Sequence, residues 1–275
     1  MNQVKAVFNG KFDLVENIKI SPFSRAYTFS DSVYEVIPFF KSKPIAFSMH
    51  LERLKYSSTE LAMNIEIEKI SSEINNLISS CESNSGYVYY QITRGVDNIR
   101  SHMYSSSLEI ETFGYVIPHA FASKPLKVMV CEDIRWGRCN IKSTSLLGNV
   151  MSMNSAHKDN CDEVIMHKNN ILREAGASNL FFIKDNKICT PALSNNILPG
   201  ITRALLIIEL KKIGLDVIED EFLLSDISNA SSAWLTSSTK GLAPIYEITN
   251  LKSDLNIDDP MFLKCKEVFE KKFFS

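Results

Sequence analysis

The sequence predicts a mixed α/β (α+β) protein of two domains, on three observations. Segments with the alternating hydrophobic pattern of strands and segments with the helical pattern occur in both halves of the chain. With 275 residues, of which 45% are hydrophobic and 23% charged, the chain can form two ordinary cores. The segment PHAFASKP combines two prolines with several small residues, which is typical of an interdomain linker. We therefore expect an N-terminal α/β domain over 1–117, a linker over 118–125 and a C-terminal domain over 126–275.

The first domain is predicted to contain two hairpins, then two helices, then two strands. Asn9-Gly10 between two apolar runs is the signature of a tight hairpin turn. Ser48 is a residue type that caps helices, and apolar residues recur at helical spacing after it. The predicted elements are strands 4–8, 11–15, 33–40 and 45–47, helices beginning at 48 and around 70–78, and strands 87–93 and 108–117.

The second domain is predicted to alternate strands with three helices. Gly214 follows an apolar helical run and would end that helix, and Pro260 suits the first turn of the last one. The predicted elements are strand 126–132, helix 146–160, strands 164–166 and 180–183, helix 201–213, strands 215–219 and 233–236, and helix 260–273.

Charge and composition exclude several classes of function. Thirty Lys and Arg against 32 Asp and Glu give a formal net charge of −2, which does not indicate a nucleic acid or membrane partner. No apolar stretch approaches the roughly 18 residues of a membrane span, and the N-terminus lacks the apolar core of a signal peptide. The six cysteines form no C-x-x-C and no zinc pattern, so we expect reduced thiols in a cytoplasmic protein without a metal site.

The common catalytic motifs are missing from the sequence. It contains no G-x-G-x-x-G, no G-x-x-x-x-G-K-[ST], no H-E-x-x-H and no G-x-S-x-G. The five histidines form no i,i+4 pair. This argues against dinucleotide, zinc-hydrolase and α/β-hydrolase chemistry.

Four short segments could instead carry chemistry, although each has an ordinary structural explanation. Lys142 lies beside apolar residues, where partial loss of hydration favours a nucleophilic amine, or it lies at a strand end with its ammonium in water. Glu174 precedes a small-residue loop and could equally be a solvated turn carboxylate. Residues 200–203 begin a helix and could bind an anion or form a plain cap. Residues 236–239, TSST, end a strand in hydroxyl groups.

Together these segments supply an amine, a carboxylate and an anion-binding helix start. The loop after strand 87–93 adds further candidate ligands, namely the cationic Arg94 and Arg100, with His102. The combination suits a phosphorylated aldehyde cofactor held as a Schiff base.

An ordered series of segments makes this combination specific. The segments are VYEV (33–36), HLERL (50–54), YYQITRG (89–95), EDIRWGRCNIKSTSLLGNV (132–150), REAGASNLF (173–181), LPGITR (198–203) and TSST (236–239). In these segments the chain resembles the class IV aminotransferases, the fold-type IV pyridoxal-phosphate enzymes. Within that group it is most similar to the D-amino acid (D-alanine) aminotransferases.

The resemblance implies a fold and a cofactor. The fold would be a smaller N-terminal α/β domain and a larger C-terminal pseudo-barrel domain, with the active site between them. Lys142 matches the lysine that holds pyridoxal 5'-phosphate, and Glu174 matches the carboxylate that faces its ring nitrogen. Positions matching the phosphate-binding groups are Arg53, Ile201, Thr202 and Ser238. The remaining cofactor-binding positions are Ser178, Asn179 and Leu198, of which Leu198 would pack on the ring.

The resemblance also implies a substrate site. Tyr34, Arg100 and His102 match a set that binds the substrate α-carboxylate in D-amino acid aminotransferases. In that family the Arg and His come from the partner subunit, which implies a homodimer. The expected reaction is ping-pong transamination between a D-amino acid of the D-alanine type and 2-oxoglutarate or pyruvate.

Three alternatives stay open at this point. Within the same fold they are a branched-chain, L-selective aminotransferase and an aminodeoxychorismate lyase, and outside enzymes a cofactor-free binding module. The chain departs from the family pattern where Ser30 and Ser32 replace glycines, and Gly176 resembles the branched-chain branch.

Overall fold

The structure is a computed structural model that describes residues 3–274, and it has the mixed α/β class predicted. Its contacts divide the chain into two units. One unit runs up to Ala120 and includes Ile141–Ser145; the other comprises Phe121–Asn140 and the chain from Leu146 onward. The division falls inside the expected linker, 118–125. The segment Ile141–Ser145 differs from the expected boundaries, because it groups with the first unit.

The first unit, as far as residues 3–120 and 141–145 describe it, is one antiparallel sheet with two helices packed on one face and a third, shorter helix. Its strands are β1 (Lys5–Phe8), β2 (Lys11–Leu14), β3 (Ser32–Phe40), β4 (Lys43–Pro44), β5 (Gly86–Thr93) and β6 (Glu111–Pro118). Its helices are α1 (Arg25–Phe29), α2 (Phe47–Glu60) and α3 (Ile67–Ser80). The strand order is β2-β1-β6-β5-β3-β4. Residues of α2 and α3 such as Leu54 and Ile74 share a buried cluster with Ile37 of β3 and Val88 of β5.

The second predicted hairpin is tighter than expected. Lys41 and Ser42 both have positive φ, 51° and 58°, as a two-residue hairpin turn requires. The return strand therefore begins at Lys43, and the predicted strand 45–47 is wrong. Ser48 does not cap α2 either, because the helix begins at Phe47 and its N-cap is Ala46, with φ 49°.

Within residues 121–140 and 146–274, the second unit is an eight-stranded mixed sheet with four helices. Its strands are β7 (Leu126–Glu132), β8 (Glu163–Lys168), β9 (Ile171–Ala175), β10 (Asn179–Lys184), β11 (Lys187–Pro191), β12 (Val217–Asp220), β13 (Ser232–Ser237) and β14 (Gly241–Ile248). Its helices are α4 (Leu147–Lys158), α5 (Ile201–Lys212), α6 (Leu224–Ser228) and α7 (Pro260–Phe273). The strand order is β12-β11-β10-β13-β14-β7-β8-β9.

This sheet buries both of its faces. Successive residues of β10 point to opposite sides, as the pleat of a strand requires. Leu180 and Phe182 join one core cluster, while Phe181 and Ile183 join another that includes residues of α5 and α7. In the part of the chain that the structure describes, no helix is both long and apolar enough to cross a membrane.

The sheet also curls into a partial barrel. β9 stands at one end of the strand order, yet it contacts β10 and β11 near the other end. An isolated bridge joins Ile171 of β9 to Leu223, the residue before α6. The curl brings the end of β9, which carries Glu174, close to the start of β10 and to residue 198.

Candidate active site

The Lys142 segment is an added edge of the first sheet. The carbonyl of Lys142 accepts a hydrogen bond from the Tyr34 amide at 3.0 Å. The next residue, Ser143, forms an isolated antiparallel β-bridge with Val33 of β3. The Lys142 amide donates to Ser57 Oγ at 3.1 Å. The half-buried side chain runs back over β3, with Nζ 4.3 Å from the centroid of the Tyr34 ring. The backbone of the predicted nucleophile is therefore fixed by the sheet, and its amine lies beside a predicted substrate-binding residue.

A buried ion cluster fixes Arg53. Glu35, which is fully buried, accepts Arg53 Nε at 2.7 Å and Arg53 Nη2 at 2.8 Å, and His50 Nδ1 lies 2.8 Å from Glu35 Oε2. Burial alone would raise the pKa of Glu35, but the charges of Arg53 and His50 hold it below its usual range. Burial lowers the pKa of His50, and the cations of Arg53 and Lys142 oppose its protonation although Glu35 favours it. The predicted phosphate ligand thus presents its guanidinium in one orientation.

Tyr34 belongs to a row of stacked tyrosines across the sheet. Its ring stacks on Tyr89 at 5.5 Å, and Tyr89 stacks on Tyr115 at 5.1 Å. The Tyr89 hydroxyl donates to Gln91 Oε1 at 2.7 Å, and burial raises the pKa of Tyr89 above its usual value. The ammonium group of Lys142 therefore lies beside an aromatic ring that stacking holds in place.

Arg100 and His102 join a different set of contacts in the first unit. Both are exposed on the loop after β5 and lie against the ring of Phe29. Arg94, at the start of the same loop, is buried and paired with Asp31, so it braces the loop.

In the second unit, Glu174 lies near the end of β9 and is only 5% exposed. Its Oε1 accepts Arg135 Nη1 at 2.6 Å and the Leu198 amide at 3.1 Å, and Oε2 accepts Asn179 Nδ2 at 3.0 Å. Three N–H donors, one of them the charged guanidinium of Arg135, favour the ionised carboxylate, because hydrogen bonds to an anion are stronger than those to a neutral acid. Arg135 is itself held by Asp133 through Nε and Nη2 at 3.0 and 2.8 Å. Burial opposes the Arg135 charge, but Asp133 and Glu174 outweigh it and raise the pKa of Arg135 further.

The start of α5 packs closely on this group. Asn179 Nδ2 also donates to the Leu198 carbonyl at 3.0 Å. A Cβ on Gly200 would lie 1.8 Å from Asn179 Oδ1, so only glycine allows this approach. Gly200, the N-cap, has no side chain that could cap the helix, so it does not compete with an anion for the first-turn amides of Ile201 and Thr202.

A second buried carboxylate underlies the small-residue loop. Glu163 accepts hydrogen bonds from the Ala177 amide at 2.9 Å and Ser178 Oγ at 3.3 Å, and forms an ion pair with Lys240 Nζ. The hydroxyl of Ser178 is thus directed at Glu163, and its contact with a cofactor stays a prediction. Ser238 is half-buried in the turn after β13.

Sequence reasoning missed the residues that hold the predicted ones, namely Glu35, His50, Asp133, Arg135, Glu163 and Lys240. The sequence does carry a signal for His50 and Glu35. His50 and Arg53 are three residues apart on α2 and share one helix face, and Glu35 alternates inward on β3. Arg135 precedes Lys142 within one matched segment, but nothing local links it to Glu174, 39 residues away.

The residues present fit pyridoxal 5'-phosphate. Taken by itself, the first unit carries a half-buried amine and an oriented guanidinium. The second unit, likewise taken by itself, carries a buried carboxylate and the first-turn amides of α5. A Schiff base, a phosphate and a ring nitrogen need these groups. Among residues 3–274 no cluster of His, Cys, Asp and Glu could hold a metal ion.

The chain is similar to known proteins in both sequence and structure. A family model described as amino-transferase class IV matches residues 32–248. A D-alanine aminotransferase from Listeria monocytogenes is 32% identical over 277 residues, covering 97% of this chain and 95% of that one. Among solved structures, the branched-chain amino acid aminotransferase of Escherichia coli superposes with a TM-score of 0.89 at 19% identity, over 99% and 95% of the two chains. That of Thermobaculum terrenum, in its PLP form, gives 0.87 at 17% identity, over 99% and 94%.

Proposed function

The chain belongs to the class IV aminotransferases, enzymes that use pyridoxal 5'-phosphate, and from this premise we propose transamination between a D-amino acid of the D-alanine type and a 2-oxo acid. Full-length similarity to a D-alanine aminotransferase supports this substrate class. The single observation that carries it is the exposed pair Arg100 and His102. Within residues 3–274 no carboxylate forms an ion pair with either, so both are open to a substrate carboxylate.

Lys142 and Glu174 would share the chemistry. Bound pyridoxal 5'-phosphate supplies an electron sink that makes the Cα–H of an amino acid acidic. The Lys142 amine would hold the cofactor and, once a substrate amine replaces it, accept the Cα proton as general base. Its fixed backbone limits where that amine can reach. The Glu174 carboxylate, kept anionic by three donors, would favour a proton on the ring nitrogen.

The phosphate would be held by cationic and amide groups. Arg53 offers a guanidinium oriented by Glu35, and the first turn of α5 offers the amides of Ile201 and Thr202. The remaining proposed contacts are those of Ser178, Asn179, Leu198 and Ser238.

Selectivity for D-amino acids would depend on where the α-carboxylate is bound. A base that works from one side removes whichever Cα proton faces it, so the position of the carboxylate selects the enantiomer. Arg100 can bind a carboxylate through two N–H groups, and His102 and Tyr34 can add further donors. We propose that Arg100 and His102 act in the site of a second copy, which makes the active form a homodimer.

A panel of D- and L-amino acids with 2-oxoglutarate tests the proposal. We expect D-alanine to be the better alanine enantiomer, with the parallel double-reciprocal lines of a ping-pong mechanism. Preference for L-valine or L-leucine would contradict it in favour of a branched-chain enzyme. Release of pyruvate from aminodeoxychorismate without an acceptor would identify a lyase, and a colourless, inactive protein would favour a binding module.

Arg100→Leu is expected to lower kcat/KM for D-alanine about 10- to 150-fold. The variant removes a charge-assisted hydrogen bond to the carboxylate, which is worth about 1.5–3 kcal/mol. The side chain is exposed, so the thermal midpoint should not move. Steady-state kinetics measure the effect, and unchanged kcat/KM for D-alanine would show that Arg100 does not bind the carboxylate.

Mixed dimers show in which subunit Arg100 acts. In a dimer of one Lys142→Ala chain and one Arg100→Leu chain, a shared site would combine intact Lys142 from one subunit with intact Arg100 from the other. Mixing the two variants should therefore restore up to half of the wild-type activity per heterodimer. Activity that stays at the average of the two parents would place Arg100 in the site of its own chain.

A further inference from the structure

Phe29, the last residue of α1, contacts the side chains of two arginines and one histidine. The guanidinium carbons of Arg25 and Arg100 are 4.6 and 4.7 Å from its ring centroid. The His102 ring is 5.3 Å away, tilted by 54°. Nothing in the resemblance assigns Phe29 a role, and it contacts both residues proposed to bind the substrate carboxylate.

The backbone between those two residues is also anchored. Arg25 Nη1 donates to the carbonyl of Ser101 at 2.7 Å, and Ser101 stands between Arg100 and His102. Arg25 is itself 3% exposed and bound to Asp31 Oδ2 at 2.9 Å. The tip of the loop therefore has a fixed backbone point, with its two functional side chains on either side of it.

The start of the loop is fixed to the same carboxylate. Arg94 donates through Nε and Nη2 to Asp31 at 2.6 and 3.0 Å, and its guanidinium lies 3.8 Å from the Tyr104 ring centroid. Arg25 and Arg94 thus both bind Asp31 and fix the backbone of the loop. These contacts do not restrict the rotation of the exposed Arg100 and His102 side chains.

We propose that Phe29 is a positioning residue that holds the Arg100 guanidinium and the His102 imidazole at one spacing, ready for an α-carboxylate. The inference rests on the proposed function of those two residues. An exposed arginine otherwise samples many rotamers, and a ring face within about 6 Å attracts a guanidinium. A pre-oriented pair loses less entropy when the carboxylate binds, so Phe29 contributes to substrate affinity. It takes no part in proton transfer.

This role requires an effect on substrates that carry a carboxylate. Ethylamine is D-alanine without its carboxylate, so the two compounds differ by the group that Arg100 and His102 would bind. We expect Phe29→Leu to lower the single-turnover efficiency with D-alanine about tenfold, chiefly through weaker binding, and to leave ethylamine within about twofold. Phe29→Tyr, which keeps the ring, should behave like wild type.

Binding without turnover gives a second readout. Calorimetric titration with propionate, which has the carboxylate and no amine, should show a similar loss of affinity in Phe29→Leu. Phe12→Leu is the matched control, since Phe12 is an aromatic residue on β2 that is 47% exposed. Phe29→Met keeps volume without a π face and replaces the leucine variant if that one does not fold.

The outcomes separate this inference from the proposed function. Suppose that wild type prefers D-alanine and that Arg100→Leu lowers the efficiency with D-alanine. If Phe29→Leu and Phe29→Met then keep the wild-type efficiency, Phe29 is not a positioning residue. Two other results for Phe29→Leu would indicate a structural role and overturn the inference. One is an equal loss of efficiency with D-alanine and with ethylamine, and the other is a lower thermal midpoint together with less bound cofactor. In an Arg100→Leu, His102→Leu background, Phe29→Leu should cause no further loss, and an additive loss would contradict the coupling.

Discussion

Lys142→Ala is expected to lower transamination by about 10⁴-fold and to remove the pH-dependent visible absorbance of the lysine-bound cofactor. The variant deletes both the amine that would bond the cofactor and the base that would accept the Cα proton. Lys142 Nζ lies 4.3 Å from the centroid of the Tyr34 ring, beside a proposed substrate-binding group. Stopped-flow half-reactions with D-alanine and an absorbance titration against pH measure the two effects.

The fold should survive this substitution. The contacts that fix the segment are made by the backbone of Lys142, to the Tyr34 amide and to Ser57 Oγ, and alanine keeps them. Lys124→Ala, at a lysine whose side chain is 73% exposed, is the matched control and should keep both spectrum and rate. Small primary amines added to the Lys142→Ala protein should restore part of the proton transfer, and more so the more basic the amine. A Lys142→Ala spectrum that matches wild type would rule out Lys142 as the cofactor lysine.

The parts of the fold that the sequence predicted well are those with strong local signals. Asn9 and Gly10 do adopt positive φ, 48° and 80°, in the first hairpin. Strand 126–132 and helix 260–273 have the predicted bounds because their apolar periodicity is clear and Pro260 suits a helix start. These elements needed no knowledge of their partners.

The strands that were missed gain their stability from pairing. β9 reads ILREA, with two charged residues in five, and β14 contains Gly241 and Pro244, which disfavour a strand locally. β11 follows a turn in which Asp185 and Asn186 both have positive φ, 51° and 56°, and the sequence pattern predicts no strand there. Each is ordered by neighbours in the curled sheet, and local propensity does not report those neighbours.

The candidate site shows the same limit. The window around Glu174 is also typical of a solvated turn, yet the structure buries this carboxylate under three donors. Arg135 and Glu174 are far apart in sequence, and Glu35 meets Arg53 across a strand and a helix. Family resemblance could place the matched residues, whereas the groups that orient them follow only from the packed chain.

Glu174→Gln is expected to lower kcat/KM with D-alanine on the order of 100-fold while Lys142 still binds the cofactor. An anion beside the ring nitrogen favours its protonated form, and the electron-withdrawing power of the cofactor depends on that proton. A neutral amide of nearly the same shape removes the charge. The new amide nitrogen must also replace one of the two carboxylate oxygens. In one orientation it faces the donor Asn179 Nδ2, and in the other it faces the donors Arg135 Nη1 and the Leu198 amide.

Glu174→Asp and Glu132→Gln separate charge from packing. Aspartate keeps the anion with a shorter reach, so its loss should stay within about tenfold. Glu132 ends β7 with a side chain 45% exposed, and its substitution should change neither rate nor stability by more than the surface norm of about 0.5 kcal/mol. Rapid-scan absorbance with D-alanine measures the half-reaction directly. Wild-type rates in Glu174→Gln would mean that the carboxylate does not act on the ring nitrogen. A loss in Glu174→Asp as large as in the glutamine variant would show that packing around Arg135, and not charge, limits the reaction.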